Sequence, residues 1–130
     1  MKTALLVARG PCVSSAVCDV ITPGGVRIVC ARDCARARHD LEGSRLRPRA
    51  VFVDLPRAGA GARDLLGFLR AHPRLRRTPV VVLSDRPADR DVVDLVLEYG
   101  ALGALPDDLE EWRLVQVVDR LCSGRRTSLV

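Results

Sequence analysis

The chain predicts an α/β fold, a single doubly wound (βα)5 domain with a central five-stranded parallel sheet, and three observations carry that prediction. Five short apolar runs built on Val, Leu and Ala recur along the 130 residues, and segments with helical spacing or turn-forming Pro and Gly lie between them. Strands and helices alternating at this spacing call for right-handed crossovers, which make neighbouring strands parallel and cover both faces of the sheet. The runs are continuous rather than alternating in polarity, as strands buried on both faces must be. The length suits one hydrophobic core and not two. Residues 1–122 are therefore expected to form the domain, and residues 123–130 (SGRRTSLV) a polar tail.

Taken in order, residues 3–8 (TALLVA) give the first strand, closed by Arg9, Gly10 and Pro11. A helix is predicted next, with Pro11 in its first turn, Val13, Val17, Val20 and Ile21 at helical spacing, and Pro23-Gly24-Gly25 as its stop. Residues 26–31 (VRIVCA) are the second strand, and Asp33 caps a helix through Cys34, Ala37 and Leu41. Residues 50–54 (AVFVD) are the third strand. After a Gly/Ala/Pro loop comes a short helix over Leu65, Leu66 and Leu69, halted by Pro73. Residues 79–84 (PVVVLS) are the fourth strand. Asp85 and Pro87 open a helix over 88–99, for which Gly100 is a natural C-terminal cap. Residues 102–105 make a short fifth strand, and Asp108-Leu109-Glu110-Glu111 reads as a capping box ahead of a last helix to Leu121.

Composition narrows the function classes. Aromatic residues are only 3% of the chain, so aliphatic side chains must fill the core. The net charge is +5, and Lys2 is the only lysine, so nearly all the positive charge is arginine. A basic balance can serve nucleic acid. Here the arginines (Arg9, Arg27, Arg32, Arg36, Arg63, Arg70, Arg113) are scattered through every segment, some of them beside Asp or Glu, which reads as a solvated surface of mixed charge. There is no helix-turn-helix pattern, no aromatic stacking platform, and no dense basic run beyond residues 70–77, so direct nucleic-acid binding is not expected. The five cysteines, Cys12, Cys18, Cys30, Cys34 and Cys122, form no CxxC pair and have no histidine cluster beside them; buried free thiols are expected, and no zinc site. The opening MKTALLVARGPC stops being apolar at Arg9, too short to export the chain or to span a membrane, so a cytoplasmic protein without a membrane partner is expected. No glycine-rich loop follows the first strand, which argues against a nucleotide or flavin enzyme.

In open sheets of this kind chemistry collects at the carboxyl ends of the strands, where the order of connection reverses. Those ends are Ala8-Arg9-Gly10, Cys30-Ala31, Asp54-Leu55-Pro56, Ser84-Asp85 and Pro106-Asp107-Asp108. An aspartate ends the third strand, a hydroxyl ends the fourth, and Gly100-Ala101 precede the fifth. With the five-fold alternation, this pattern resembles the receiver domains of bacterial response regulators, the CheY-like modules of two-component phosphorelay signalling. The resemblance runs from Lys2 to about Cys122. It implies that Asp54 is the phosphoacceptor-equivalent residue, served in working receivers by Mg²⁺.

The departures are as informative. Receivers supply an acidic pair after the first strand, and Ala8 and Arg9 stand there. A guanidinium cannot ligate a cation, and its charge opposes one. Receivers place a lysine and then a proline after the fifth strand, and Asp107 and Asp108 stand there; the switch aromatic of the fifth strand falls at Ala104. Only Asp54 and Ser84 remain of the site. The resemblance is therefore to an atypical or pseudo-receiver, with no catalytic residue, no metal and no cofactor, Mg²⁺ entering only under the alternative that Asp54 still accepts a phosphoryl group. Two arrangements stay open: the Arg9 guanidinium sits where Mg²⁺ would and pairs with Asp54 and Asp107, or Asp54 bonds its own loop and Arg9 faces solvent.

Without a catalytic site, function falls to a surface. The helices over 88–99 and 111–121 are apolar over more than one stripe, wider than one sheet contact requires. Val92, Val96, Tyr99, Trp112 and Val115 are the candidate partner-binding residues. In the resembling family the fourth helix, fifth strand and fifth helix form the usual signalling face. The expected partners are a signalling protein, an output domain of the same protein, or a second copy in a homodimer.

Overall fold

The computed structural model describes residues 2–8, 19–43, 46–56 and 61–123. The aliphatic runs become five strands: β1 (Lys2–Val7), β2 (Val26–Ala31), β3 (Val51–Asp54), β4 (Val80–Ser84) and β5 (Gly103–Pro106). All pair in parallel, in the order β2-β1-β3-β4-β5. The chain builds outward from β1 on one side and then on the other, so the connection reverses between β1 and β3. The described helices are α1 (Cys34–Glu42), α2 (Ala62–Ala71), α3 (Arg90–Tyr99) and α4 (Glu111–Cys122).

Strand alternation divides the sheet into two apolar faces. Leu5, Val7, Val51, Val53, Val80 and Val82 meet Leu41, Leu65, Leu66, Leu69 and Leu95 from α1, α2 and α3. Leu6, Ala8, Ile28, Phe52, Val81 and Leu83 meet Leu114, Val118 and Cys122 from α4. Every residue of β3 and β4 is buried, which is why their sequences carry no polar alternation.

Helix ends follow their side chains. Asp33 caps α1, its carboxylate accepting from the Arg36 amide at 2.7 Å. Asp89 caps α3 by accepting from the Asp91 amide at 2.9 Å, and Gly100 closes that helix in the left-handed conformation, at φ 67°. The predicted capping box at Asp108 does not form. Glu110 is the N-cap of α4 and makes no side-chain cap bond, because its carboxylate instead accepts from the Trp112 indole N–H.

Two further expectations are corrected. Residues 11–18 of the predicted first helix lie outside the described residues, but Val20 and Ile21 are not helical. Asp19 takes a left-handed φ of 64°, the Asp19 amide donates to the Ile28 carbonyl and the Ile28 amide to the Val20 carbonyl, each at 2.9 Å, and Ile21 bridges Arg27 in antiparallel fashion. β-Branched Val20, Ile21 and Thr22 suit extended backbone, so this stretch folds back along the start of β2. The turn is clasped by α4: Thr22 Oγ1 donates to Asp119 Oδ1 at 2.5 Å, and the Gly24 amide donates to the same oxygen at 3.1 Å. Among the described cysteines, Cys34 and Cys122 are buried free thiols, whereas Cys30 is disulfide-bonded. Spacing along the sequence carries no information about which cysteines the fold brings together.

Candidate functional site at the carboxyl edge

The register of the sheet assembles the site. Val7 pairs with Val53, so Ala8 comes next to Asp54 across the point where the connection reverses. Asp54 pairs with Leu83, and the Leu55 amide donates to the Leu83 carbonyl at 2.9 Å, which sets Ser84 beyond Asp54 on the neighbouring strand. Ser84 pairs with Pro106, and the Asp107 amide donates to the Ser84 carbonyl at 3.0 Å. The structure thus brings Ala8, Asp54, Ser84 and Asp107 to one edge, as the sequence predicts. Arg9 lies outside the described residues, and so does its predicted pairing.

Asp54 is 3% exposed, at the end of a strand whose every residue is buried. A carboxylate there must be compensated, and both Asp54 and Asp107 are engaged in polar or electrostatic interactions. Ser84 is equally buried, and its Oγ accepts from the Arg86 amide at 3.0 Å, so the hydroxyl stabilises its own turn. Ala8 is 5% exposed and belongs to the apolar core with Leu6 and Phe52. Ala104 pairs with Val82 and packs against the other core, where a bulky ring would have to find room.

A hard divalent cation needs several oxygen ligands, carboxylates foremost. Ala8 puts a methyl group beside Asp54, and Asp85 and Asp108 are exposed. Among the described residues no group of three or more His, Cys, Asp or Glu side chains is placed to hold a metal ion. Among the described residues, then, the carboxylates of this edge do not form the cluster that Mg²⁺ takes.

The candidate partner residues divide. Val92, Val96 and Tyr99 pack partly buried against one core and Val115 against the other, so they support the helices from within. Trp112 is 58% exposed, fixed by its indole bond to Glu110 and with the Arg113 guanidinium 5.5 Å from the ring centroid. Besides Trp112, the apolar side chains that face outward near these helices are Leu97, at 73% exposure, Val93 on the same helix and Leu102 just before β5, none of them among the five candidates. Helical spacing identifies an apolar stripe but not which part of it the sheet covers.

No protein-family model matches the chain, and no curated protein matches it by sequence. Solved structures do. The signal receiver domain of a signal transduction histidine kinase from Syntrophus aciditrophicus is 25% identical at a TM-score of 0.75, over 100% of this chain and 97% of that one. A phosphorylated cyanobacterial phytochrome response regulator, RcpA, is 20% identical at a TM-score of 0.73, over 99% of both chains. The receiver domain of a sensor histidine kinase from Pseudomonas aeruginosa, with a magnesium ion coordinated in its active-site cleft, is 21% identical at 0.72, over 95% of this chain and 98% of that one. These likenesses extend over nearly the whole chain, and with the parallel sheet in the order β2-β1-β3-β4-β5 they show that it has the CheY-like receiver fold.

Proposed function

We propose that this chain is a receiver-type signalling domain that acts by binding partner proteins and without phosphoryl transfer. The observation that carries the reading is the apolar, buried Ala8 in register beside Asp54, where metal-assisted transfer would need a carboxylate. Arg9, next in sequence, adds a charge that repels Mg²⁺, and Asp107 puts a negative charge where an incoming phosphoryl group would need a positive one. Asp54 is then a structural anion of the pocket rather than a nucleophile, and the domain is not an enzyme.

Signalling passes to a surface. Val93 and Leu97 on α3, Leu102 before β5 and the fixed, exposed Trp112 on α4 offer apolar anchors of the kind that dominate protein interfaces. The partner is a signalling protein, an attached output domain or a second copy of this chain. Titration with Mg²⁺ and beryllofluoride, followed by amide NMR shifts and Trp112 fluorescence, tests the reading. No saturable change at Asp54 or Ser84 is expected up to millimolar Mg²⁺. Saturable shifts at both would show a working phosphoacceptor and overturn it.

A further inference from the structure

Opposite the Asp54 edge, the amino ends of the strands gather charge that sequence order disperses. β1 begins at Lys2; Arg47 and Arg49 precede β3; Arg74, Arg76 and Arg77 precede β4. Because β1, β3 and β4 are adjacent and parallel, these three starts lie side by side. The Arg49 amide donates to the Thr3 carbonyl at 2.8 Å and the Val51 amide to the Pro79 carbonyl at 2.9 Å, which ties the three junctions together. Arg49, Arg74 and Arg77 line one hollow with Thr78 and Pro79, and Arg47 joins Arg74 and Thr78 in the adjoining one. Lys2 and Arg49 both act electrostatically on Cys122, at the end of α4.

These cations differ from four of the other described arginines, which are held by acids. Arg27, Arg36, Arg38 and Arg63 are paired with Asp19, Asp40, Glu42 and Glu98. Among the described residues, none of the six at the amino edge makes an ion pair. Asp119, on the nearby last turns of α4, is occupied by Thr22 and Gly24. Six cations gathered at one edge compare with a net charge of +5 for the whole chain. Compensation of helix dipoles does not account for it, since that effect is confined to the last turn, where α2 and α4 already carry Arg70 and Arg120.

We propose that the amino edge binds the phosphate backbone of a nucleic-acid duplex without reading its sequence. Five of the six cations are arginines, whose planar forks match phosphate oxygens. No Phe, Tyr or Trp lines either hollow and His72 is their one ring, so there is no platform on which successive bases could stack, and lipid finds no Trp or Tyr anchor. Cations fixed on the ends of a rigid sheet suit the regular, rigid array of phosphates in a duplex.

Fluorescence anisotropy of a short labelled DNA duplex with the full chain tests this. With four arginines on phosphates, the log–log dependence of affinity on salt has a slope of about −3.6, a loss of about 100-fold between about 50 and about 200 mM. Arg49→Gln with Arg77→Gln reduces the slope by about 2. Arg36→Gln with Arg38→Gln removes the same charge from α1 and leaves the slope unchanged. All four residues are exposed, so the fold withstands either change, and melting temperatures verify that. Equal weakening by the two double variants, or equal affinity for polyglutamate or for anionic vesicles, would overturn the proposal.

Discussion

Asp119 and the two free cysteines show what single side chains contribute. Asp119 Oδ1 receives both the Thr22 hydroxyl and the Gly24 amide, and a Cβ at position 24 would overlap that carboxylate. Asp119→Ala leaves two donors without their acceptor and is expected to cost about 1–3 kcal/mol in urea unfolding. Burial pushes the Cys34 and Cys122 thiols up from 9.0 to about 11, with Asp33 adding to the effect at Cys34 while Arg49 and Lys2 oppose it at Cys122. A raised thiol holds its proton in the folded state after the unfolded chain has released it. Stability from these two sites is therefore fully present below pH 9.0 and falls as pH rises towards about 11. The urea midpoint should drop through that window, and drop less in the Cys34→Ala, Cys122→Ala variant; an equal drop would assign the effect to other groups.

At the scale of elements, helix caps separate what the sequence made legible from what it did not. Asp33→Ala removes a real cap bond and should cost about 1 kcal/mol, whereas Glu110→Ala removes none and should leave stability within about 0.5 kcal/mol by thermal unfolding. The Asp33 and Gly100 signals were readable because each depends only on its own helix end. The capping-box pattern misled because Glu110 has a competing donor two residues on, in Trp112, and side-chain competition is not encoded in spacing. Val20 and Ile21 mimic helical periodicity yet pair along β2, because β-branched residues beside a Pro-Gly-Gly turn gain more from strand hydrogen bonds than from one further helical turn. The strands were the most legible elements, since double-sided burial leaves continuous apolar runs.

At the scale of the whole molecule, the sheet order turns dispersed residues into two opposed edges. The Asp54 edge could be read in advance because the chemistry of parallel sheets concentrates at strand ends, and each of Ala8, Asp54, Ser84 and Asp107 ends or follows a strand. The arginine edge could not. Lys2, Arg49 and Arg77 are neighbours only through the strand order β1-β3-β4, and along the sequence they look like ordinary surface charge. The outward position of Leu97, and the partial burial of Val92, Val96 and Tyr99 on the same helix, were hidden for the same reason, because exposure depends on where each helix lands.

The Asp119 clasp also bears on how the chain folds. Its hydrogen bond to Thr22 joins residues 97 positions apart, so it closes a loop of nearly the entire domain. Loops of that size are costly to close before other contacts exist, so the clasp is expected to form late, once α4 docks on the sheet. Asp119→Ala should accordingly accelerate unfolding and leave the refolding rate almost unchanged. In kinetic terms the bond acts as a latch, governing how long the assembled domain lasts rather than how quickly it forms.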